Sequence, residues 1–154
     1  MGMLTRLRER SGGSRARLGR ELHAAYLDAR RVASQLREHG ARVPYPTLTA
    51  DFGRLADQAD GHAALLGDEI RAVAGNTDPS DALLPRDGRN HWERLTLDLA
   101  DLESLQRRYT ELAWQWDVEF PATATTFERL ARATGAMSRE VRSMIARSDP
   151  HAAN

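Results

Sequence analysis

Residues 45–70, YPTLTADFGRLADQADGHAALLGDEI, return in weakened form at residues 120–145 as FPATATTFERLARATGAMSREVRSMI. At this offset of 75 residues (Tyr45 to Phe120), Pro46/Pro121, Phe52/Phe127, Arg54/Arg129, Leu55/Leu130, Ala56/Ala131 and Ile70/Ile145 are identical. Self-similarity at a fixed spacing marks two copies of one supersecondary unit. Both copies open on an aromatic-proline pair and continue with apolar residues three or four apart, the period of a helix buried along one face. The repeat therefore predicts two helical hairpins, which together make an all-α, up-down-up-down four-helix bundle with a pseudo-two-fold axis.

Outward from the repeat, the expected helices lie near 14–39, 47–74, 90–117 and 122–147. Ser14 can cap the first, and Gly40 suits the left-handed turn after its end. Its stripe is Leu18, Leu22, Ala25, Ala29, Val32 and Leu36. The second carries Phe52, Leu55, Ala59, His62, Leu66, Ile70 and Val73, and Pro46 sits where its missing N–H costs nothing. Residues 75–89, GNTDPSDALLPRDGR, are dense in turn formers and form the longest loop, with Leu83 and Leu84 expected to pin it to the bundle end. Asn90 and Glu93 have the form of a capping box opening the third helix. That helix carries Trp92, Leu95, Leu99, Leu102, Gln106, Tyr109, Ala113 and Trp116. The fourth carries Phe127, Leu130, Thr134, Met137, Val141 and Ile145. The domain reading is a flexible basic arm over 1–13, one bundle over 14–147 and a tail over 148–154.

Composition removes several chemistries. Cys is absent, so disulfides, thiolate metal sites and cysteine nucleophiles are excluded, in keeping with a reducing, cytoplasmic setting. All 22 basic residues are Arg; without Lys there is neither a Schiff base nor a Walker-type phosphate lysine. The formal net charge is zero, which argues against a dedicated nucleic-acid binder. No apolar run is long enough for a membrane span, and none is placed to act as a signal peptide. Phosphate loops, nucleophile elbows and His-Glu-x-x-His patterns are missing as well.

Tyr45-Pro46 followed by FGRLADQADGHAALLGDEI resembles the second helix of the ferritin-like and rubrerythrin-like four-helix-bundle proteins, and the repeat at Phe120 resembles their fourth. The resemblance implies a bundle in which two iron or manganese ions are held by a Glu from helices one and three and a Glu-x-x-His from helices two and four. Carried onto this chain, the Glu and His slots become Ala59 and His62 in helix two, and Thr134 and Met137 in helix four. Helix one offers Ala25 and Ala29, with Tyr26 on the flank. Helix three offers Leu99, Leu102 and Gln106 inward, while Asp98, Asp101 and Glu103 lie off the stripe. A dinuclear site needs several convergent carboxylates, so these positions read as degenerate.

The resulting expectation is a non-catalytic bundle acting as a structural or protein-interaction module, without cofactor. One alternative is an iron- or manganese-binding oxidoreductase or storage protein with an atypical site drawn from His62, Asp98, Asp101 and Glu103. Another is a binder of a small apolar ligand in the vacated core, lined by Ala25, Ala29, Ala59, His62, Leu102, Gln106, Thr134 and Met137. His62 is expected to be buried and hydrogen-bonded, with Gln106 or Tyr26 as its partner. The remaining histidines, His23, His39, His91 and His151, lack ligand spacing. Leu27, Leu97, Leu105 and Leu112 exceed what one stripe needs, and Trp92, Trp114 and Trp116 crowd one helix. This surplus points to a homo-oligomer, a dimer by expectation. Arg6, Arg8, Arg10, Arg15 and Arg17 in the arm carry a weaker expectation of contact with nucleic acid or an acidic partner.

Overall fold

A computed structural model describes residues 2–75 and 82–148, with side chains from Gly12 onward. It contains α1 (Gly2–Ala41), α2 (Pro46–Ala74), α3 (His91–Trp116) and α4 (Pro121–Arg147), with no strand among the described residues. The first helix does not begin at Ser14. It runs back to Gly2, so residues 2–13 continue its helical backbone. Gly12 and Gly13 each cost about 1 kcal/mol relative to Ala in a helix, and Ser11 and Ser14 flank them, with the better helix formers Arg10 and Arg15 one residue further out. Gly40 also lies inside α1 and not in a left-handed turn. A Cβ there would stand 2.7 Å from Phe52 Cβ, so glycine is what lets α1 and α2 approach at this height. Among the described residues only Gly75, at the end of α2, has a positive φ, 95°.

Helix starts follow their local chemistry. Pro46 and Pro121 occupy the first turns of α2 and α4. Asn90 Oδ1 accepts from the Glu93 backbone N–H at 2.9 Å, and the Glu93 carboxylate accepts from the Arg89 backbone N–H at 2.8 Å. The capping box thus reaches back one residue further than its simplest form.

Cross-helix pairs give the direction of each helix. Near one end, Gly40 of α1 meets Phe52 of α2, His39 meets Asp98 near the start of α3, and Asp51 of α2 meets Arg147 at the end of α4. Near the other, Gly19 meets Ala74, Glu21 meets Trp116, and Glu69 meets Thr123 and Thr126. Thus α1 and α4 run one way, and α2 and α3 the other. The order is up-down-down-up, which corrects the expected up-down-up-down path. Going round the bundle the helices are α1, α2, α4, α3, with α1/α4 and α2/α3 across the diagonals, where the backbones do not approach closely. The chain leaves α2 level with Gly19 and enters α3 level with His39, about 30 Å away at 1.5 Å per helical residue. Residues 75–90 are numerous enough to cover that length at roughly 3.3 Å each. Stripe patterns alone carry no direction, so they gave the up-down-up-down expectation no support.

Phe52 and Phe127, together with Leu55 and Leu130, are fully or almost fully buried, one aromatic and one leucine in the core from each hairpin. Burial of each such side chain contributes roughly 1.5–3 kcal/mol. The α3 face differs from expectation. Leu95, Leu102, Tyr109, Ala113 and Trp116 point inward as predicted, but Asp98, Asp101, Leu105 and Leu112 are buried beside them. Leu99 and Gln106 are half-buried and Trp92 is exposed. Two heptad stripes share Leu95, Leu102, Tyr109 and Trp116, and the structure favours the other one. Leu105 and Leu112 are therefore core residues and supply no surface patch. Leu83 and Leu84 are exposed and do not pin the loop.

Candidate functional site

The mid-bundle slots come first. Ala25, Ala29, Ala59, Leu102, Thr134 and Met137 are all buried, as the motif mapping requires, whereas Gln106 is half-buried. His62 departs from expectation: it is only partly buried and makes no hydrogen bond among the described residues. Neither expected partner reaches it; Tyr26 Oη accepts from Arg30, and the Gln106 amide lies against Gly135 on α4. Desolvation holds the His62 imidazole below its ordinary value. Two other polar atoms in this region are buried without a partner, Thr134 Oγ1 and Tyr109 Oη. Burial, and then the negative charge of Asp28, raise the Tyr109 phenol.

The four candidate metal residues do not converge. Glu103 pairs with Arg142 of α4, His62 stands alone on α2, and Asp98 and Asp101 turn toward α1. No group of three or more metal-donor side chains lies within ligating range among the described residues. Asp98 and Asp101 are nonetheless not the solvated acids expected. They are 0 % and 7 % exposed and form the centre of a buried polar cluster.

That cluster is built from residues four apart on α1 and three apart on α3, spacings that bring side chains onto one helix face. Gln35 Nε2 donates to Asp98 Oδ1 at 2.8 Å and to Asp101 Oδ2 at 2.9 Å. Its Oε1 accepts from the Arg86 backbone N–H at 2.7 Å and from Arg31 at 3.3 Å. His39 Nδ1 lies 2.8 Å from Asp98 Oδ2, and its Nε2 lies 3.1 Å from the Arg86 carbonyl. A carbonyl can only accept, so Nε2 donates to it. The ring's Nδ1 faces the Asp98 carboxylate, so both ring nitrogens are engaged. Arg31 Nη1 donates to Asp101 at 2.9 Å, and Arg86 Nε stands 3.4 Å from the same oxygen. Every polar group of Gln35 is satisfied, the condition under which a buried network stabilises rather than costs.

The cluster grips the backbone of the crossover. Arg86 presents its N–H to Gln35 and its C=O to His39, and neighbouring Asp87 takes both guanidinium nitrogens of Arg42 at 2.9 and 3.0 Å. Arg94 Nε and the Gly88 N–H also donate to Asp87. These donors, Arg42 first and then Arg94, hold the Asp87 carboxyl far below the usual carboxylate range. A Cβ on Gly88 would fall 2.8 Å from the Arg94 backbone nitrogen, so the turn into α3 needs glycine. The anchor of the loop is thus Gln35, His39, Asp98 and Asp101 rather than Leu83 and Leu84. His39 was read as isolated because its partners are 47 and 59 residues away. The available signal was Asp98 lying in the Leu95, Leu102, Leu105, Leu112 heptad.

The opposite end presents a different surface. Trp114 and Val118 are 81 % and 86 % exposed. Trp114 borders a shallow groove of about 220 Å³ between α3 and α4, lined by Thr110, Ala113, Glu128, Ala131 and Arg132. Nearby Trp116 is buried and donates from Nε1 to Glu21 at 2.7 Å.

No family model matches the chain, and neither curated proteins nor solved structures yield a match. Among the described residues no helix is long and apolar enough to cross a membrane.

Proposed function

We propose that this chain is a ferritin-like bundle whose metal-ligand slots have been replaced, and that it works as a non-catalytic structural or protein-interaction module. The single observation that carries this reading is the identity of the buried mid-bundle side chains. Ala59, Thr134 and Met137 fill the slots where two carboxylates and an imidazole would be needed, and hard divalent ions take oxygen and nitrogen donors in number. The acids that could substitute are engaged elsewhere, Asp98 and Asp101 with α1 and Glu103 with Arg142. The single long crossover also supports kinship, because ferritin-like bundles have one such connection. Protein purified from iron- or manganese-supplemented medium is expected to carry less than stoichiometric metal, unchanged by His62→Ala. Two ions bridged in the core of the unmodified protein would replace this reading with the oxidoreductase one. Grafting Ala59→Glu, Thr134→Glu and Met137→His tests the kinship itself, since metal uptake by the triple variant requires the remaining geometry to be intact.

A second reading, a small ligand in the core that is largely apolar but carries a polar group, draws on Thr134 Oγ1 and Tyr109 Oη. Buried hydroxyls normally have a partner, and these two have none among the described residues. Ligand-dependent thermal stabilisation that is abolished by Thr134→Val would favour it.

A further inference from the structure

We infer that the N-terminal overhang of α1 docks onto the Trp114 face of a second copy of this chain, reciprocally, giving a two-fold dimer. This deepens the interaction-module reading and rests on it. Gly19 lies level with the end of α2 at Ala74, and the Arg15 guanidinium stands 5.9 Å from the ring centre of Phe120 in the α3–α4 turn. The part of α1 before Arg15 therefore projects beyond the bundle by about 20 Å, thirteen residues from Gly2 at 1.5 Å each. It carries Arg6, Arg8 and Arg10 against Glu9.

The surface near the same end has the opposite sign. Glu111, Asp117, Glu119 and Glu128 are exposed around Trp114 and Val118, and none forms an ion pair among the described residues; Arg132 is the cation that shares the groove. From Glu111 to Val118 is about 10 Å of helix, within the length of the overhang. An exposed tryptophan rimmed by carboxylates suits an arginine-bearing helix, which can set a guanidinium on the ring and pair with the rim. The fold already uses this contact internally, with Arg17 over Trp116 and Arg30 over Tyr26, each 5.7 Å from the ring centre. No such guanidinium covers Trp114 among the described residues. Because arm and patch sit on one chain, each copy offers both halves, and two-fold symmetry closes the contact without forming a fibre.

Charge reversal in the full-length chain tests this by sedimentation velocity, with helicity and melting temperature checked for every variant. Wild type is expected to dimerise, with Kd rising at least ~10-fold as salt is raised to a Debye length of about 3 Å. Trp114→Ala is expected to weaken it roughly 30-fold. An arm variant (Arg6→Glu, Arg8→Glu, Arg10→Glu) and a patch variant (Glu111→Arg, Asp117→Arg, Glu119→Arg) should each be monomeric. Mixed together they should form a one-to-one heterodimer, since both contacts are then restored. Dimers that survive both reversals would overturn the inference while leaving an interaction module with its interface elsewhere. A monomeric wild type, including one whose arm instead binds a DNA duplex, overturns it outright. Stoichiometric bridged metal, by contrast, defeats the module reading whichever way the chain associates.

Discussion

Replacing Asp98 with Ala is expected to be among the most damaging single changes in this protein. The substitution removes the partner of His39 Nδ1, 2.8 Å away, and one of two acceptors for Gln35 Nε2. His39 and Asp98 are 1 % and 0 % exposed, so water cannot replace the lost partner. Each buried polar group left without its partner costs about 1–3 kcal/mol, and this change strips His39 Nδ1 and weakens the hold on Gln35, about 2–4 kcal/mol together. A domain of this kind has about 5–15 kcal/mol in total, so the variant should lose a large share of its stability. Urea unfolding followed by far-ultraviolet circular dichroism measures this, with an unchanged slope confirming that stability alone has moved. The corresponding drop in melting temperature is on the order of 10 °C. Asp98→Asn should cost much less, because its amide can donate to Nδ1 while the ring keeps its Nε2 hydrogen for the Arg86 carbonyl. In a double-mutant cycle with His39→Ala the coupling should reach about 2 kcal/mol. The reasoning fails if Asp98→Ala costs under about 1 kcal/mol, or if the cycle shows no coupling.

Gly40→Ala should destabilise by about 1–3 kcal/mol, since the new Cβ would meet Phe52 Cβ at 2.7 Å and both atoms are fixed to helix backbones. Gly61→Ala, where nothing lies within 4 Å, should instead stabilise by about 0.5–1 kcal/mol; equal effects at the two sites would remove the case for close α1–α2 packing. Acid should weaken the fold below neutrality. Burial lowers His62 and His91 in the folded state relative to an unfolded value near 6.5, so the unfolded chain binds more protons there and stability falls as pH drops through about 6.5. His62→Leu should flatten the slope of urea midpoint against pH, and a slope identical to wild type would show that His62 does not contribute.

The sequence displayed the parts of the fold that depend on periodicity. Four helices, the proline starts of α2 and α4, the Asn90 cap and the burial of Phe52 and Phe127 follow from spacing and capping chemistry, which are local. It did not display what depends on long-range geometry. The direction of α3 is one such case, because a heptad reads the same in either direction. The rotation of α3 is another, because Leu95, Leu102, Tyr109 and Trp116 anchor two stripes equally well. Choosing the stripe through Leu99 and Gln106 pushed Asp98 outward and hid its pairing with His39. The small residues at Ala25, Ala29, Ala59 and Thr134 were legible as buried. His62 was not placed correctly, since its position in the repeat matched Met137 while its own surroundings leave it half in water.

These two misreadings share one physical cause, and it bears on why a polar cluster occupies the bundle at all. An apolar α3 stripe would pack against α1 running in either direction, so hydrophobic burial does not distinguish a short hairpin connection from a crossover along the bundle. The backbone of Arg86 does distinguish them. Its N–H and C=O can be satisfied together only where Gln35 and His39 stand four residues apart on α1, with Asp98 and Asp101 behind them to hold both side chains in place. Hydrogen bonds are directional where dispersion is not. The cluster therefore specifies which end of the bundle receives the crossover, a use of buried polar groups in which they select one arrangement at some cost in stability. That role accounts for Asp98 and Asp101 turning toward α1 and the crossover rather than outward, Asp101 through its Oδ2 alone.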